Sequence, residues 1–184
     1  MKNKIILVTG TSSGIGKSII QTLNKKNCKI IATSRKKINK NTKNIYFLNL
    51  DVTNEDQWKE TIYFIKKKFG KLDVLINNAG IRISGNIENT STKLWDKIIN
   101  TNLTSIFLGC KYAVPLLKKS KKASIVNLAS ITSIRGVTNM IAYASSKGAI
   151  VTFTASLALD LAKHGIRVNA VAPGAVNTKM VWSL

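Results

Sequence analysis

At 184 residues, with 45% hydrophobic and 20% charged residues, the chain has the size and composition of one soluble domain (1–184); no run approaches a membrane span, and four apolar residues before Thr9 are too few for a signal-peptide core. Two cysteines, Cys28 and Cys110, and one histidine, His164, exclude a disulfide framework and a zinc site, so a metal-free chain in the reducing cytoplasm is expected. The formal net charge of +21 comes from 25 lysines scattered along the length against 4 arginines, with no arginine-rich or aromatic-interleaved patch, so neither nucleic acid nor membrane is an expected partner.

The first strand is predicted over "IILVT" (5–9), and "TGTSSGIG" (9–16) follows it directly, opening a helix near Ile15. Gly10 permits the tight turn, Gly14 lets backbone approach a phosphate, and Gly16 lets the helix pack near the strand. With Ser12, Ser13 and Ile15 they form a turn whose free N–H groups, at the positive end of the helix, face an anion. A second strand (29–33) ends in "TSRKK". An acidic residue there would bond a ribose 2′-hydroxyl; Ser34 and Arg35 stand in its place, and an arginine fork grips a 2′-phosphate, so NADP(H) is expected in preference to NAD(H). The third strand (45–50) leads to Asp51, which either accepts from an adenine amino group or caps the helix that begins near Thr53.

That next helix places Trp58, Ile62, Ile65 and Phe69 on one stripe, which puts Tyr63 and Lys67 of "YFIKK" on the solvated face. A fourth strand (73–77) precedes one long helix across 92–118, with a bend expected at Pro115. A fifth strand (124–129), a helix from Ala142 and a sixth strand (166–172) complete the series. Lysine runs at 66–68 and 118–122 fall at helix ends, where they favour the helix dipole. Continuous apolar strands alternating with helices imply an α/β fold: a doubly wound parallel sheet of about six strands with helices on both faces. Ligands bind such sheets beyond the carboxyl ends of the strands.

"YASSK" (143–147) has the same spacing as "YFIKK" in different surroundings. From Val137 to Leu159 the only charged residue is Lys147. A helix that excludes charge on nearly all faces is buried or in an interface, and a lysine retained there is costly unless something stabilises it. Tyr143 lies one turn before it on the same side, and an ammonium so placed favours loss of the phenolic proton.

Taken in order, "TGTSSGIG", "DV" at 51–52, "NNAG" at 77–80, Asn102 in "NTNLTSIF", Ser130 in "NLASI", Tyr143, Lys147 and "PGAVNT" at 173–178 resemble the short-chain dehydrogenase/reductase family along the whole chain. The resemblance implies a Rossmann-type domain and a hydride-transferring oxidoreductase. In it Tyr143 is the general acid, Lys147 tunes Tyr143 and bonds the nicotinamide ribose, Ser130 holds the substrate oxygen, and Asn102 positions a water behind Lys147. Val52, Asn78, Ala79 and Gly80 line the cofactor trough, and Pro173, Gly174, Val176 and Thr178 fix the nicotinamide. Within the family the chain resembles 3-oxoacyl-carrier-protein reductases, which implies a small-molecule or carrier-bound carbonyl substrate and a place in fatty acid biosynthesis. A homo-oligomer through the helices around 92–118 and 142–162 is also implied.

The sequence ends ten residues after Gly174. Family members continue through a substrate lid and a last strand, and that region is expected to be absent here. The alternative expectation is therefore a truncated nucleotide-binding remnant with weak or no turnover.

Overall fold

The computed structural model describes residues 3–36 and 42–182. Among them six parallel strands form one sheet in the order β3-β2-β1-β4-β5-β6. The strands are β1 (Ile5–Thr9), β2 (Lys29–Ser34), β3 (Ile45–Asn49), β4 (Val74–Asn77), β5 (Ser124–Leu128) and β6 (Arg167–Val171). The helices are α1 (Gly14–Asn24), α2 (Glu55–Phe69), α3 (Thr92–Ile99), α4 (Ser105–Leu117), α5 (Ile141–Ala162) and a short α6 (Lys179–Trp182). The winding reverses between β1 and β4, so the carboxyl ends of these two strands flank a crevice.

Side-chain alternation along β1 sorts the helices. Ile5 and Leu7 face one core with Trp58 and Ile65 of α2, Ile106 and Leu117 of α4 and Ile150 of α5. Ile6 and Val8 face the other, with Ile20 of α1 and Ile30 and Ala32 of β2. Leu7 lies beside Ile31 and Leu75 on one face, and Ile6 beside Ile30 and Val74 on the other, so the strand is apolar on both faces, as a covered parallel strand must be. The covering is unequal: at the far edge Arg167, Asn169 and Val171 of β6 are exposed.

On α2, Trp58 and Ile65 are fully buried and Tyr63 is 64% exposed, as the apolar stripe requires. Asn54 caps this helix by accepting from the Gln57 N–H at 3.0 Å, and Lys66, Lys67 and Lys68 fill its last turn. The helix starts at Glu55. Asp51 accepts instead from the N–H and hydroxyl of Thr53, at 3.0 and 2.7 Å, closing the turn before the cap.

The long helix expected across 92–118 is interrupted at a different place. A π-helical turn over Asn100–Thr104 separates α3 from α4, and α4 runs through Pro115 to Leu117. One extra residue per turn suits this point, because it places Asn102 fully inside the protein.

Candidate active site

The glycine turn is built by mutual close approach. Gly10 has φ +69°, and a Cβ on it would stand 2.8 Å from the Ala79 Cα; one on Gly16 would stand 2.2 Å from the Gly10 carbonyl oxygen. Asn78 locks the arrangement. Its Nδ2 donates to the carbonyls of Thr9 at 2.8 Å and Gly10 at 3.0 Å, while the Thr9 hydroxyl accepts from the N–H groups of Asn78 and Ala79, both at 3.0 Å. The "NNAG" segment thus holds the turn through the side chain of Asn78. Ser13 precedes α1 in extended conformation and makes no side-chain cap bond. The first N–H groups of α1 are left facing the crevice at its positive end.

A cleft of about 1080 Å³ runs from this turn across the sheet ends. That is slightly above the roughly 300–1,000 Å³ usual for ligand and cofactor sites. Every residue expected to hold a cofactor lines it: the turn from Ser12 to Gly16 with Gly10, then Ser34 and Arg35, Asp51 and Val52, Asn78 to Gly80, and Pro173, Gly174, Val176 and Thr178. Ser34 is buried and donates to the Lys36 carbonyl at 2.7 Å; Arg35 is exposed. A glycine cradle that any side chain would fill, beside an uncapped helix start, fits the phosphates of a dinucleotide.

Ser130, Tyr143 and Lys147 line the same cleft. Ser130 follows β5 and opens a 3-10 turn (Ile131–Ser133); its Oγ accepts from the Thr132 N–H at 3.2 Å, while Ser133 Oγ accepts from the Ser130 N–H at 3.3 Å. Ser133 Oγ also donates to the carbonyl of Lys147 at 3.0 Å, tying the turn to α5. Lys147 is 5% exposed; its Nζ donates to the Leu128 carbonyl at 2.6 Å and stands 5.8 Å from the centre of the Tyr143 ring. Burial lowers its pKa to about 8.

Asn102 is the one predicted site residue that does not line the cleft. It sits behind, where its Oδ1 accepts from the Ile81 N–H at 2.8 Å and its Nδ2 donates to the Ile81 carbonyl and to Ser146 Oγ, both at 3.0 Å. Ser146 in turn donates to the Tyr143 carbonyl at 2.7 Å. A Cβ on Gly80 would stand 3.2 Å from Asn102 Oδ1 and 3.6 Å from Lys147 Nζ, so these groups share one corner. Ser133 and Ser146 are connecting residues that sequence reasoning passed over; their partners lie far along the chain and no spacing signals them. Deeper in, the Asn77 amide donates to Asn127 at 2.9 Å and Asn127 to Thr154 at 3.0 Å, a satisfied buried chain joining β4, β5 and α5.

The family model for short chain dehydrogenase matches residues 4–184. Among curated proteins, cyclopentanol dehydrogenase of Comamonas sp. (strain NCIMB 9872) is 35% identical over 100% of this chain and 77% of its own length. A 3-oxoacyl-[acyl-carrier-protein] reductase of Buchnera aphidicola is 38% identical over 98% of this chain and 77% of its own. Among solved structures, aldohexose dehydrogenase from Thermoplasma acidophilum superposes with a TM-score of 0.93 at 37% identity, covering 99% of this chain and 70% of that one. ElxO with NADP bound gives 0.90 at 38% identity, covering 100% and 77%. With the sheet order, the glycine turn and the agreement along nearly the whole sequence, the chain belongs to the short-chain dehydrogenase family, oxidoreductase enzymes that transfer hydride with a bound nicotinamide nucleotide.

Proposed function

We propose that this enzyme is an NADP(H)-dependent reductase of carbonyl compounds, with 3-oxoacyl thioesters on a carrier as its substrate class and the secondary alcohol as product. The observation that carries the reading is Lys147: a cation kept at 5% exposure, one turn from Tyr143, in the cleft that also holds the glycine turn. The Leu128 carbonyl accepts from its Nζ at 2.6 Å, and a buried charge costly to the fold, in a cleft, supports a chemical role.

When bound, the nucleotide supplies the hydride, held by the turn from Gly10 to Gly16, by Ser34 and Arg35, by Asp51, Val52 and Asn78 to Gly80, and over the nicotinamide by Pro173, Gly174, Val176 and Thr178. Tyr143 gives its hydroxyl proton to the carbonyl oxygen of the substrate. The Lys147 ammonium favours loss of that proton and bonds the nicotinamide ribose. The Ser130 hydroxyl holds the substrate oxygen as charge develops on it. Since the Asn102 amide is committed to Ile81 and Ser146, its contribution is to set the loop at Ile81 and to frame a relay water behind Lys147. The Ile131 N–H donates to the Pro173 carbonyl at 2.9 Å, which supports a role at the nicotinamide for the segment after β6.

Preference for NADP(H) rests on Arg35 at the cleft and no acidic side chain at the end of β2. The bound NADP of ElxO, a relative by structure, supports it. The relative of Buchnera, a 3-oxoacyl-[acyl-carrier-protein] reductase by name, supports the carrier-bound substrate and a role in fatty acid synthesis in the cytoplasm. Exposed Phe107 on α4 and Val151 and Leu159 on α5 support a homo-oligomer packed through these helices.

The test is a titration of the chain with NADPH and, separately, NADH, repeated with Arg35→Ala. The expected result is saturable binding that prefers NADPH, and at least a tenfold loss for NADPH in the variant with NADH unchanged. Equal affinity for both nucleotides would refute the preference. Binding without reduction of any carbonyl would favour the second reading, a nucleotide-binding chain without turnover.

A further inference from the structure

Resting on that reading, we propose that Arg82 binds an anionic group of the substrate, so the enzyme takes carbonyl compounds that carry a carboxylate or phosphate at a distance from the reacting carbonyl. Lysines along the cleft mean little in a chain with 25 of them, but there are only 4 arginines. Arg35, Arg135 and Arg167 are exposed; Arg82 is half-buried and lines the cleft. Among the described residues it has no ion pair and no side-chain hydrogen bond. Its five guanidinium donors, with no protein acceptor among the described residues, are left for a bound anion in the cleft.

The loop that carries it is pinned at both ends to the catalytic helix. On one side, Ile81 is bonded through both backbone groups to Asn102, which reaches Ser146 on α5. On the other, the Gly85 N–H donates to the Asn139 carbonyl at 2.8 Å, and the Ile141 N–H donates to the Gly85 carbonyl at 3.3 Å. Arg82 therefore stands at the Tyr143 end of the cleft, away from the β2 and β3 ends where Arg35 and Asp51 lie. Ile131, Val137, Met140 and Val176 add apolar lining to the same cleft. The arrangement matches a substrate whose carbonyl meets Tyr143 and whose negative charge lies apart from it, at Arg82.

Two probe pairs separate the sources of that charge. Oxo carboxylates of five to eight carbons are compared with their methyl esters, and acetoacetyl-phosphopantetheine with acetoacetyl-pantetheine. Binding is measured by calorimetry to Tyr143→Phe loaded with NADPH, a complex that cannot turn over, and to the same chain carrying Arg82→Gln; turnover is followed in the wild type. The expected result is about tenfold or tighter binding of the anionic member of at least one pair, lost in Arg82→Gln while the NADPH Kd changes less than twofold. The pair that discriminates names the anion. Equal binding of both members of both pairs, no binding by any probe, or a loss of NADPH affinity in Arg82→Gln overturns the proposal, the last by assigning Arg82 to the cofactor's phosphates. Discrimination in binding without wild-type turnover would leave Arg82 as assigned and overturn the proposed reduction.

Discussion

Replacing Lys147 with methionine is predicted to stabilise the folded chain at neutral pH while abolishing reduction. Burial lowers the Lys147 pKa from its ordinary 10.5 to about 8, which corresponds to about 3 kcal/mol of extra cost for the charged form. Against it stands the hydrogen bond from Nζ to the Leu128 carbonyl, whose loss deprives a buried acceptor of this partner at about 2 kcal/mol. Methionine removes both, so a net gain of about 1 kcal/mol is expected at pH 7. The pH dependence carries the sign. Below pH 8 the lysine is protonated in both folded and unfolded chains and its full cost is present. Between about 8 and 10.5 the folded state sheds the proton first, so wild-type stability rises with pH relative to the variant. Urea unfolding of both proteins at several pH values should therefore show the variant ahead at pH 7 and behind by pH 10, with a crossing between. A variant less stable at pH 7, with a difference that does not move with pH, would refute the claim that this ammonium is held against the preference of the fold.

Other expected outcomes test parts of the frame. The Asp73 carboxyl is opposed by burial, yet hydrogen bonds from Ser120, the Ile5 N–H, Lys71 and Lys4 hold its pKa down to about 2. Its contribution is present above its ordinary pKa of 3.8 and is lost as pH falls toward 2. Lys4 and Lys71 are partly exposed and screened by salt, so Asp73→Asn should lose about 1–2 kcal/mol at pH 7, read from urea midpoints, and show less further loss at pH 3 than the wild type. Removing the side chain in Asn102→Ala deprives the Ile81 N–H and carbonyl of their partners. A loss of about 2–4 kcal/mol in stability is expected, with turnover falling at least tenfold and the NADPH Kd changing little; unchanged turnover would show that the Ile81 loop needs no such support.

The central strands were legible because each is a short apolar run whose sheet neighbours are also apolar on both faces, as Leu7 between Ile31 and Leu75 and Ile6 between Ile30 and Val74 illustrate. Tyr63 and Tyr143 were separable because the stripe through Trp58 and Ile65 leaves no room for doubt about which face Tyr63 takes. The π-helical turn at Asn100–Thr104 was not legible. Proline is a visible helix breaker, whereas an inserted residue is set by the tertiary contacts of Asn102 with Ile81 and Ser146, which are remote in sequence. The same reason hides the links through Ser133 and the pinned loop around Arg82: their partners come from other elements, and no local periodicity encodes them. The glycine turn sits between these cases. Its spacing is readable, but that Asn78 clamps the Thr9 and Gly10 carbonyls emerges only from the fold.

The most direct measurement of the central claim is NADPH oxidation by the wild type, Tyr143→Phe and Tyr63→Phe with acetoacetyl-pantetheine or acetoacetyl-phosphopantetheine as substrate, alongside NADPH affinity for each. The account predicts turnover by the wild type and Tyr63→Phe, at least a hundredfold loss in Tyr143→Phe, and one NADPH affinity for all three. Turnover that survives in Tyr143→Phe, or falls equally in both variants, would contradict it.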